Sequence, residues 1–234
     1  AKSLLKTRKF NDPRDVGDPV MSSKVYSNQD ADELVLLQID RVPNAMEILI
    51  SSVELIAKEC FVPLTVGGSI TKVKDAERLF TAGADKVIIN TSVYSNYKII
   101  GEISKLAGKQ AVVVGIDVRL ENNEYCLYSG GALNLESISL SEHIDNVISY
   151  GAGEIFIQSI DQDGMMSGYD LGLLEKVCAI SSAPVIAAGG AGSFEDLLDA
   201  FNAGVDAIAC GSLLILVIIT LFGPNHSSKI MGFP

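Results

Sequence analysis

Short apolar runs rich in valine, isoleucine and leucine recur along the chain. Seven such runs occupy positions 34–39, 63–66, 87–90, 111–117, 155–159, 184–188 and 207–210. Continuous apolar runs of this length are typical of parallel strands that are buried on both faces. Amphipathic helical patterns separate the runs, for example around residues 46–56 and 194–201. Strands and helices in alternation predict a parallel sheet covered by helices.

The two halves of the chain resemble each other. Glu33 aligns with Glu154 at the start of one pair of apolar runs, and Asp85 aligns with Asp206 before another pair. Both alignments have the same separation of 121 residues. A period of this length indicates a duplicated half-domain, because solenoid repeats span roughly 20 to 50 residues.

The half-repeat favours a closed barrel over an open, doubly wound sheet, because it makes strands one to four equivalent to strands five to eight. Seven runs leave an eight-stranded barrel one strand short. The residues before the first run do not supply the missing strand, because the polar stretch 11–19 predicts a long loop and residues 20–27 show a helical pattern. We therefore expect strand one to precede Ala1. The predicted fold is α/β, a (β/α)8 TIM barrel of two duplicated half-barrels in one N-terminally incomplete domain, residues 1–234.

Composition narrows the choice of partners and compartment. The net charge of −11 argues against nucleic acid or an anionic membrane as a partner bound by bulk charge, because both require a basic footprint. Residues 1–10 contain no hydrophobic region of a signal peptide. The apolar run 213–222 is about half as long as a membrane span and is expected to be a buried terminal segment. Four dispersed cysteines suit reduced thiols in a cytoplasmic protein.

Paired glycines recur at matched positions after two of the apolar runs. Gly67 and Gly68 precede one helical pattern, and Gly189 and Gly190 precede its equivalent. Glycines at a strand-to-helix turn expose backbone amides that can hold an anion, although an isolated pair is better explained by a tight turn without a ligand. The repetition favours two phosphate-binding cradles at one mouth, which suit a substrate with a phosphate at each end.

Small and polar residues follow the predicted strands at the end where barrels of this type carry their active sites. These mouth residues are Lys6, Gln38, Asp40, Gly68, Ser69, Asn90, Thr91, Asp117, Asp161, Asp163, Gly164, Gly190, Ala191, Gly211 and Ser212. At the opposite end, Glu33, Lys86 and Glu154 lie near the starts of strands, where inward-pointing charges require partners. These three residues form either a structural ring of ion pairs or a gate.

Asp117 is the first candidate for acid–base chemistry. It ends the most apolar run, residues 111–116, so its carboxylate is expected at the mouth with apolar walls behind it. Desolvation raises the pKa of a carboxyl and suits it to proton transfer. The competing interpretation is an aspartate that caps the next loop.

Neither a metal site nor a catalytic triad is expected. Asp161, Asp163 and Gly164 crowd together, but the ligand series of a calcium loop and its terminal glutamate are missing. His143 falls in a helical pattern and His226 in the tail, so both are expected to be surface residues rather than general bases.

Eight motifs, taken in order, carry a resemblance to a known family. They occupy residues 66–70, 83–87, 89–91, 113–117, 151–155, 159–164, 168–170 and 188–192. Together they resemble the HisA/HisF barrel family, and within it HisF, the cyclase subunit of imidazole glycerol phosphate synthase. The resemblance covers roughly residues 4–212.

This resemblance implies a reaction, a partner and no cofactor. A HisF barrel receives ammonia along its axis from a glutaminase partner, HisH. It uses the ammonia on a bisphosphorylated ribulosyl-formimino aminoimidazole carboxamide ribonucleotide. The implied products are imidazole glycerol phosphate, for histidine biosynthesis, and an aminoimidazole carboxamide ribonucleotide.

The resemblance also implies roles for individual residues. Asp117 matches one of two catalytic aspartates, the other of which belongs to strand one. The residues implied for substrate and phosphate binding are Lys6, Gly68, Asn90, Thr91, Asp163, Gly164, Gly190, Ala191, Gly211 and Ser212. Within this set, Gly68, Asn90 and Thr91 match one phosphate site. Glu33, Lys86 and Glu154 match three members of the charged ring where ammonia enters, and the fourth, an arginine, belongs to strand one.

Some positions depart from the family pattern and keep two alternatives open. The departures are Gln38, Ser69, Ala188, Met165, Met166 and the tail 221–234. They are similar to those of HisF-like paralogs found with surface-polysaccharide genes, which pass ammonia to an enzyme that amidates a nucleotide-linked sugar. The other alternative is the sister isomerase, HisA, which shares the barrel and both phosphate cradles but needs no ammonia.

Overall fold

The computed structural model of the chain describes residues 3–39 and 42–213. Four features singled out from the sequence lie outside the described residues: Asp40, the apolar run beyond Leu213, the tail 221–234 and His226 within it.

Strands and helices alternate through most of the described chain. The strands are β1 (Leu5–Arg8), β2 (Asn11–Asp15), β3 (Leu34–Leu37), β4 (Leu64–Gly67), β5 (Lys86–Ile89), β6 (Val112–Glu121), β7 (Glu124–Ser129), β8 (Asn134–Leu135), β9 (Glu154–Ser159), β10 (Val185–Ala188) and β11 (Ala207–Ala209). The helices are α1 (Pro19–Ser27), α2 (Ala45–Glu59), α3 (Val73–Ala82), α4 (Thr91–Ser95), α5 (Lys98–Ala107), α6 (Leu140–Ser149), α7 (Leu171–Ile180) and α8 (Phe194–Asn202). A 3₁₀ turn, Lys109–Ala111, leads into β6.

Seven parallel strands form the central sheet in the order β11-β10-β9-β6-β5-β4-β3. They are the seven strands predicted from the apolar runs, and each helical pattern between them forms a helix. β6 runs four residues beyond its predicted end and turns back into β7. The turn is a two-residue connection in which Asn122 and Asn123 both have positive φ, the conformation that matches the twist of a tight hairpin.

The sheet curves into a nearly closed barrel. Val35 and Leu37 of β3 line the same cavity as Ala209 of β11, although these strands are at opposite ends of the sheet order. Alternate residues of β6 point to opposite faces, so Val113 packs inside the barrel and Val114 packs outside against the helical layer. The predicted TIM-barrel-like class is confirmed.

The inner and outer faces of the sheet have separate cores. Inside the barrel, Ile88, Val113, Phe156 and Ala188 come from four adjacent strands and pack on one another. A much larger cluster fills the space between the strands and the helices. Phe156 and Ala188 of the inner cluster also line the cavity at the mouth of the barrel.

The helices bury their apolar faces to different extents. Leu49, Val53 and Ile56 of α2 are buried against the sheet, as the helical pattern predicts. On α8 the pattern is also helical, but Phe194 and Phe201 remain more than half exposed. Among the described residues, α8 packs beside α7 on one side, which leaves this part of its surface uncovered.

The sequence repeat is reproduced by individual hydrogen bonds. The Leu64 amide donates to Asp85 Oδ2 at 2.8 Å, and 121 residues later the Val185 amide donates to Asp206 Oδ2 at the same distance. In each half, the hydrogen bond joins the start of one strand, β4 or β10, to the aspartate that precedes the next strand, β5 or β11. The two half-barrels therefore share their local construction as well as their strand order.

The N-terminal stretch that was predicted to be a long loop is a hairpin, so that prediction was wrong. β1 pairs with β2 in antiparallel register, with Arg8 opposite Asn11 across a tight turn. The polar sequence gives no alternating pattern, because the hairpin is fastened by the side chain of Asp163 rather than by an apolar face of its own. The following helix, α1, forms where it was predicted and is capped by Asp18, whose carboxylate accepts from the Met21 amide.

None of the helices within residues 3–39 and 42–213 combines the length and the apolar character that crossing a membrane would require.

Candidate functional site

A cavity of about 150 Å³ opens where the strands of the second half-barrel end. The residues predicted for binding that line it are Lys6, Asp163, Gly164, Gly190, Ala191, Gly211 and Ser212. They come from the N-terminal hairpin and from the ends of β9, β10 and β11. The structure therefore brings together the second of the two predicted cradles.

Glycines are required in this cradle because other backbone segments approach them closely. A Cβ at Gly190 would lie 2.2 Å from the Gly168 carbonyl oxygen, and a Cβ at Gly164 would lie 1.9 Å from that of Thr7. Gly190 also has a φ of +122°, a conformation that side chains rarely adopt. Only glycine therefore fits at these two positions without a shift of the neighbouring backbone.

Lys6 places its ammonium group at the edge of this cradle. A Cβ at Gly211 would lie 1.9 Å from Lys6 Nζ, so the absence of a side chain at Gly211 makes room for the lysine head. Burial lowers the pKa of Lys6, and the nearby Asp163 and Cys210 act in the opposite direction. The site thus combines backbone amides with one partly desolvated amino group.

Asp163 connects the hairpin to the loop after β9. Its carboxylate accepts from Thr7 Oγ1 at 2.6 Å and from the Phe10 amide at 3.3 Å, while Gln158 Nε2 donates to it at 3.2 Å. Its carbonyl oxygen also accepts from the Lys9 amide at 2.8 Å. Asp163 therefore lies at the cavity as predicted, with its carboxylate engaged in holding the hairpin over the mouth.

Asp117 lies near the carboxyl end of the barrel on β6 and is 8% exposed. Asn90 Nδ2 donates to its Oδ2 at 2.9 Å. Burial raises the pKa of Asp117 to about 7, the bond from Asn90 opposes this rise, and the charge of Asp163 adds to it. The prediction of a carboxyl with a raised pKa at this position is confirmed, and such a group can both accept and donate a proton near neutral pH.

The residues of the first predicted cradle lie at the ends of the neighbouring strands β4 and β5, outside the lining of the cavity described above. Gly68 has a φ of +96°, and a Cβ there would lie 2.2 Å from the Gln38 carbonyl oxygen. The Thr91 hydroxyl oxygen accepts from the Gly130 amide at 2.9 Å. Asn90 uses its amide nitrogen on Asp117, which links this group to the acid–base carboxyl.

Asp161, another of the predicted mouth residues, lies beside the β6–β7 hairpin. Its carboxylate accepts from the Leu120 amide at 3.2 Å and lies 3.8 Å from Arg119 Nε. Arg119 in turn stacks over the ring of Tyr128 at 4.8 Å. Asp161 therefore helps to hold the hairpin that extends from the strand carrying Asp117.

The opposite end of the barrel carries the predicted group of charges. Lys86 Nζ lies 2.9 Å from Glu33 Oε2 and 2.8 Å from Glu154 Oε1, and Thr65 donates a short hydrogen bond to Glu33. Burial lowers the pKa of Lys86, but the hydrogen bonds that Lys86 donates to Glu154 and Glu33 outweigh the effect of burial and raise the pKa overall. The three residues thus form one connected, partly buried cluster.

The expectation that His143 is a surface residue was wrong, because its side chain is fully buried. It stacks on Tyr94 with ring centroids 4.3 Å apart, and its Nδ1 lies 2.7 Å from the Tyr97 hydroxyl. The helical pattern contained a signal for burial, since Leu140 lies three positions before His143 and Val147 lies four positions after it, both on the buried face of α6. Tyr94 was not among the residues predicted from the sequence, although it lies four residues after Asn90, close to the end of β5.

No group of three or more histidine, cysteine, aspartate or glutamate side chains with the geometry of a metal site occurs within the described ranges. The four cysteines are free thiols.

These features define a class of protein: a TIM-barrel-like protein whose mouth combines a glycine-lined, lysine-flanked cavity with a buried carboxyl of raised pKa. The model of the family described as "Histidine biosynthesis protein" matches residues 1–219. The chain belongs to this family.

Curated relatives agree with this assignment. The chain is 40% identical over 210 residues to the imidazole glycerol phosphate synthase subunit HisF of Exiguobacterium sibiricum, an alignment that covers 90% of this chain and 84% of the relative. Identity to the protein of the same name from Dictyoglomus turgidum is 42% over 213 residues, covering 91% and 84%. For a second Exiguobacterium HisF the figures are 38% over 231 residues, covering 99% and 90%.

Proposed function

We propose that this chain is the cyclase subunit of an imidazole glycerol phosphate synthase, a cytoplasmic lyase of histidine biosynthesis. It would use ammonia to convert a bisphosphorylated ribulosyl-formimino aminoimidazole carboxamide ribonucleotide to imidazole glycerol phosphate. The printed names of its relatives support the assignment. The observation that carries it is the buried Asp117 carboxyl, with a pKa of about 7, at the same end of the barrel as the glycine-lined cavity.

In this proposal Asp117 transfers protons while the ring closes. A pKa near neutrality allows the carboxyl to be present in both protonation states at working pH, which is the condition for efficient acid–base catalysis. Asn90 fixes the orientation of the carboxyl through its 2.9 Å hydrogen bond. The resemblance implies a second aspartate from strand one, which would share this work.

The two phosphates of the substrate would bind on opposite sides of the mouth. Backbone amides around Gly164, Gly190 and Gly211 would hold one phosphate, together with Ala191 and Ser212, and Lys6 would contribute its positive charge. The ends of β4 and β5, at Gly68 and Thr91, would hold the other. The position of the glycines supports this arrangement, because Gly164, Gly190 and Gly211 line the cavity together with Lys6, and no side chain fits at any of them without displacing a neighbour.

Ammonia would enter at the opposite end, past the cluster of Glu33, Lys86 and Glu154. A glutaminase partner would dock there to deliver it. Two features at this end support a docking surface: Phe61 is 92% exposed, and a cavity of about 360 Å³ lies beside it, lined by Ile56 among others. An exposed aromatic side chain next to a cavity is a common anchor for a protein partner.

The decisive experiment is turnover of the bisphosphorylated substrate by the complete purified chain, supplied with ammonium at alkaline pH and without a partner. Turnover that falls by about 10²–10⁴-fold in Asp117→Asn, with an unchanged circular dichroism spectrum, supports the proposal. Asp145→Asn, which alters an exposed carboxylate on α6, is the matched control and should retain full activity. Full activity in Asp117→Asn would refute the role of Asp117.

The alternative function is a channel and docking module that passes ammonia to an enzyme acting on a nucleotide-linked sugar. Met166, one of the departures from the family pattern, lines the cavity and favours a changed substrate. The same experiment separates the two functions. A folded chain that does not turn over the substrate but still activates a glutaminase would favour the alternative.

A further inference from the structure

A group of buried polar atoms beside Asp117 plays no part in the chemistry proposed above. Four of these atoms have no hydrogen-bond partner among the described residues: Asn90 Oδ1, Ser92 Oγ, the Tyr94 hydroxyl and His143 Nε2. Three belong to the segment that follows β5, and the fourth is on α6. Buried polar atoms are nearly always hydrogen-bonded to protein or to ordered water, so four in one region of the barrel wall require an explanation.

One ring nitrogen of His143 has a partner and the other has none among the described residues. Nδ1 lies 2.7 Å from the Tyr97 hydroxyl, at hydrogen-bonding distance. Burial lowers the pKa of His143 to about 4, so the ring is neutral at pH 7 and carries one proton. Whichever nitrogen carries that proton, Nε2 is a buried polar atom that requires a hydrogen-bond partner, and a water molecule can serve it as donor or as acceptor.

Tyr94 connects this histidine to Asp117. Its ring stacks on His143 with an angle of 6° between the ring planes. Burial raises the pKa of Tyr94, and the charges of Asp117 and Glu136 raise it further, which places its hydroxyl within electrostatic reach of the Asp117 carboxyl. Asp117 itself is held by Asn90, whose Oδ1 is another of the four unpartnered atoms.

We propose that buried water molecules link the Tyr94 hydroxyl and His143 Nε2 to the Asn90–Asp117 pair, which makes Tyr94 a positioning residue for the Asp117 carboxyl. The inference rests on the role proposed above for Asp117. Water suits the site because the orphaned atoms include both donors and acceptors, and one buried water typically makes about three hydrogen bonds. The titratable groups that face this network are Asp117, Asp163, Glu136, Glu142 and Tyr97.

The pH profile of turnover tests this role. Tyr94→Phe removes the hydroxyl but keeps the ring stacked on His143. Losing a donor to the charged form of Asp117 raises the pKa of that carboxyl, so the acid limb of the profile should move to higher pH by roughly one pH unit. Tyr150→Phe is the matched control, since it removes the same atom from a ring that stacks on Tyr97 but is 41% exposed, and its acid limb should stay in place.

A second measurement separates this inference from the proposed function. The titration of Asp117, followed by NMR of the complete chain with ¹³C-labelled aspartate, requires no substrate and should show the same shift in Tyr94→Phe. An inactive wild-type protein would count against the proposed function and leave the NMR result to decide the inference. Equal shifts of the Asp117 pKa in both variants would overturn the inference. A high-resolution crystal structure of the wild-type chain with no water bound to the Tyr94 hydroxyl or to His143 Nε2 would also overturn it. This crystal structure is the deciding test if Tyr94→Phe does not fold.

Discussion

The two half-barrels are built alike but carry different chemical groups at the mouth. In the first half, Asp75 accepts from the amides of Thr71 and Lys72, and 121 residues later Asp196 accepts from the equivalent pair of amides. Each of these carboxylates fixes the turn that leads from a glycine pair into a helix. Such bonds satisfy the free amides at a helix start, so they belong to the scaffold and survive duplication unchanged.

The halves differ at one matched position shortly after the last strand of each half, β5 in the first and β11 in the second. In the first half this residue is Asn90, whose amide holds the Asp117 carboxyl. In the second half the equivalent residue is Gly211, and the ammonium group of Lys6 occupies the space that a side chain would fill. At this one duplicated position, therefore, the first half carries a side chain that binds the Asp117 carboxyl, whereas the second half leaves room for the Lys6 ammonium group. The lesson is that backbone devices are inherited in pairs, whereas the chemistry is set by single side chains.

The largest effect expected from this difference is on the pH dependence of stability. Because burial raises the pKa of Asp117 from 3.8 to about 7, the folded protein binds the proton more tightly than the unfolded chain between these pH values. The contribution of Asp117 to stability is therefore present below pH 3.8 and is lost as the pH rises to about 7. The loss is about 1.4 kcal/mol for each pH unit between the two pKa values, a few kcal/mol in all.

Asp117→Asn removes this dependence. The free energy of unfolding, measured in urea across the pH range, should fall less in the variant than in the wild-type chain as the pH rises from about 4 to 7, and the difference should be constant above pH 7. Asp145→Asn, on the exposed surface of α6, should follow the wild-type curve. Parallel curves for Asp117→Asn and the wild-type chain would mean that the carboxyl is not desolvated in solution.

A smaller effect is expected when the second half is made to resemble the first. Gly211→Asn introduces a Cβ where Lys6 Nζ now lies, so the flexible lysine head must leave the cradle. Losing one charge-assisted contact should raise the KM for the bisphosphorylated substrate by roughly ten- to a hundredfold, with a smaller change in kcat. Lys6→Met should reproduce the rise in KM. An unchanged KM in both variants would show that Lys6 does not contact the substrate.

Most of the scaffold could be predicted from the sequence because its signals are local. A strand buried on both faces must be apolar at nearly every position, so runs such as 111–117 stand out without any knowledge of their neighbours. The pKa of Asp117 followed from the same argument, because an aspartate that ends such a strand is flanked by apolar walls. The half-repeat then supplied the order of the strands.

The features that were missed depend on contacts between distant residues. The hairpin at the N-terminus is held by Asp163, more than 150 residues away, and its polar sequence therefore looks like a loop. His143 was read as a surface residue of a helical pattern, although Tyr94 and Tyr97 pack against its ring and it is buried. Such tertiary partners override residue type, and their pairing cannot be read from periodicity alone.

The smallest effects should test whether the halves are equivalent where they look identical. Asp85 and Asp206 each accept from a strand amide at 2.8 Å, and both residues are exposed. Asp85→Ala and Asp206→Ala should each lower the free energy of unfolding by about 1 kcal/mol, the usual net value of such a bond. The double variant should lose the sum, because the sites are far apart in the barrel and share no partner. Equal costs would confirm that the duplicated scaffold is stabilised in the same way twice. A markedly larger cost at one site would mean that the halves have diverged in their construction as well as in their chemistry.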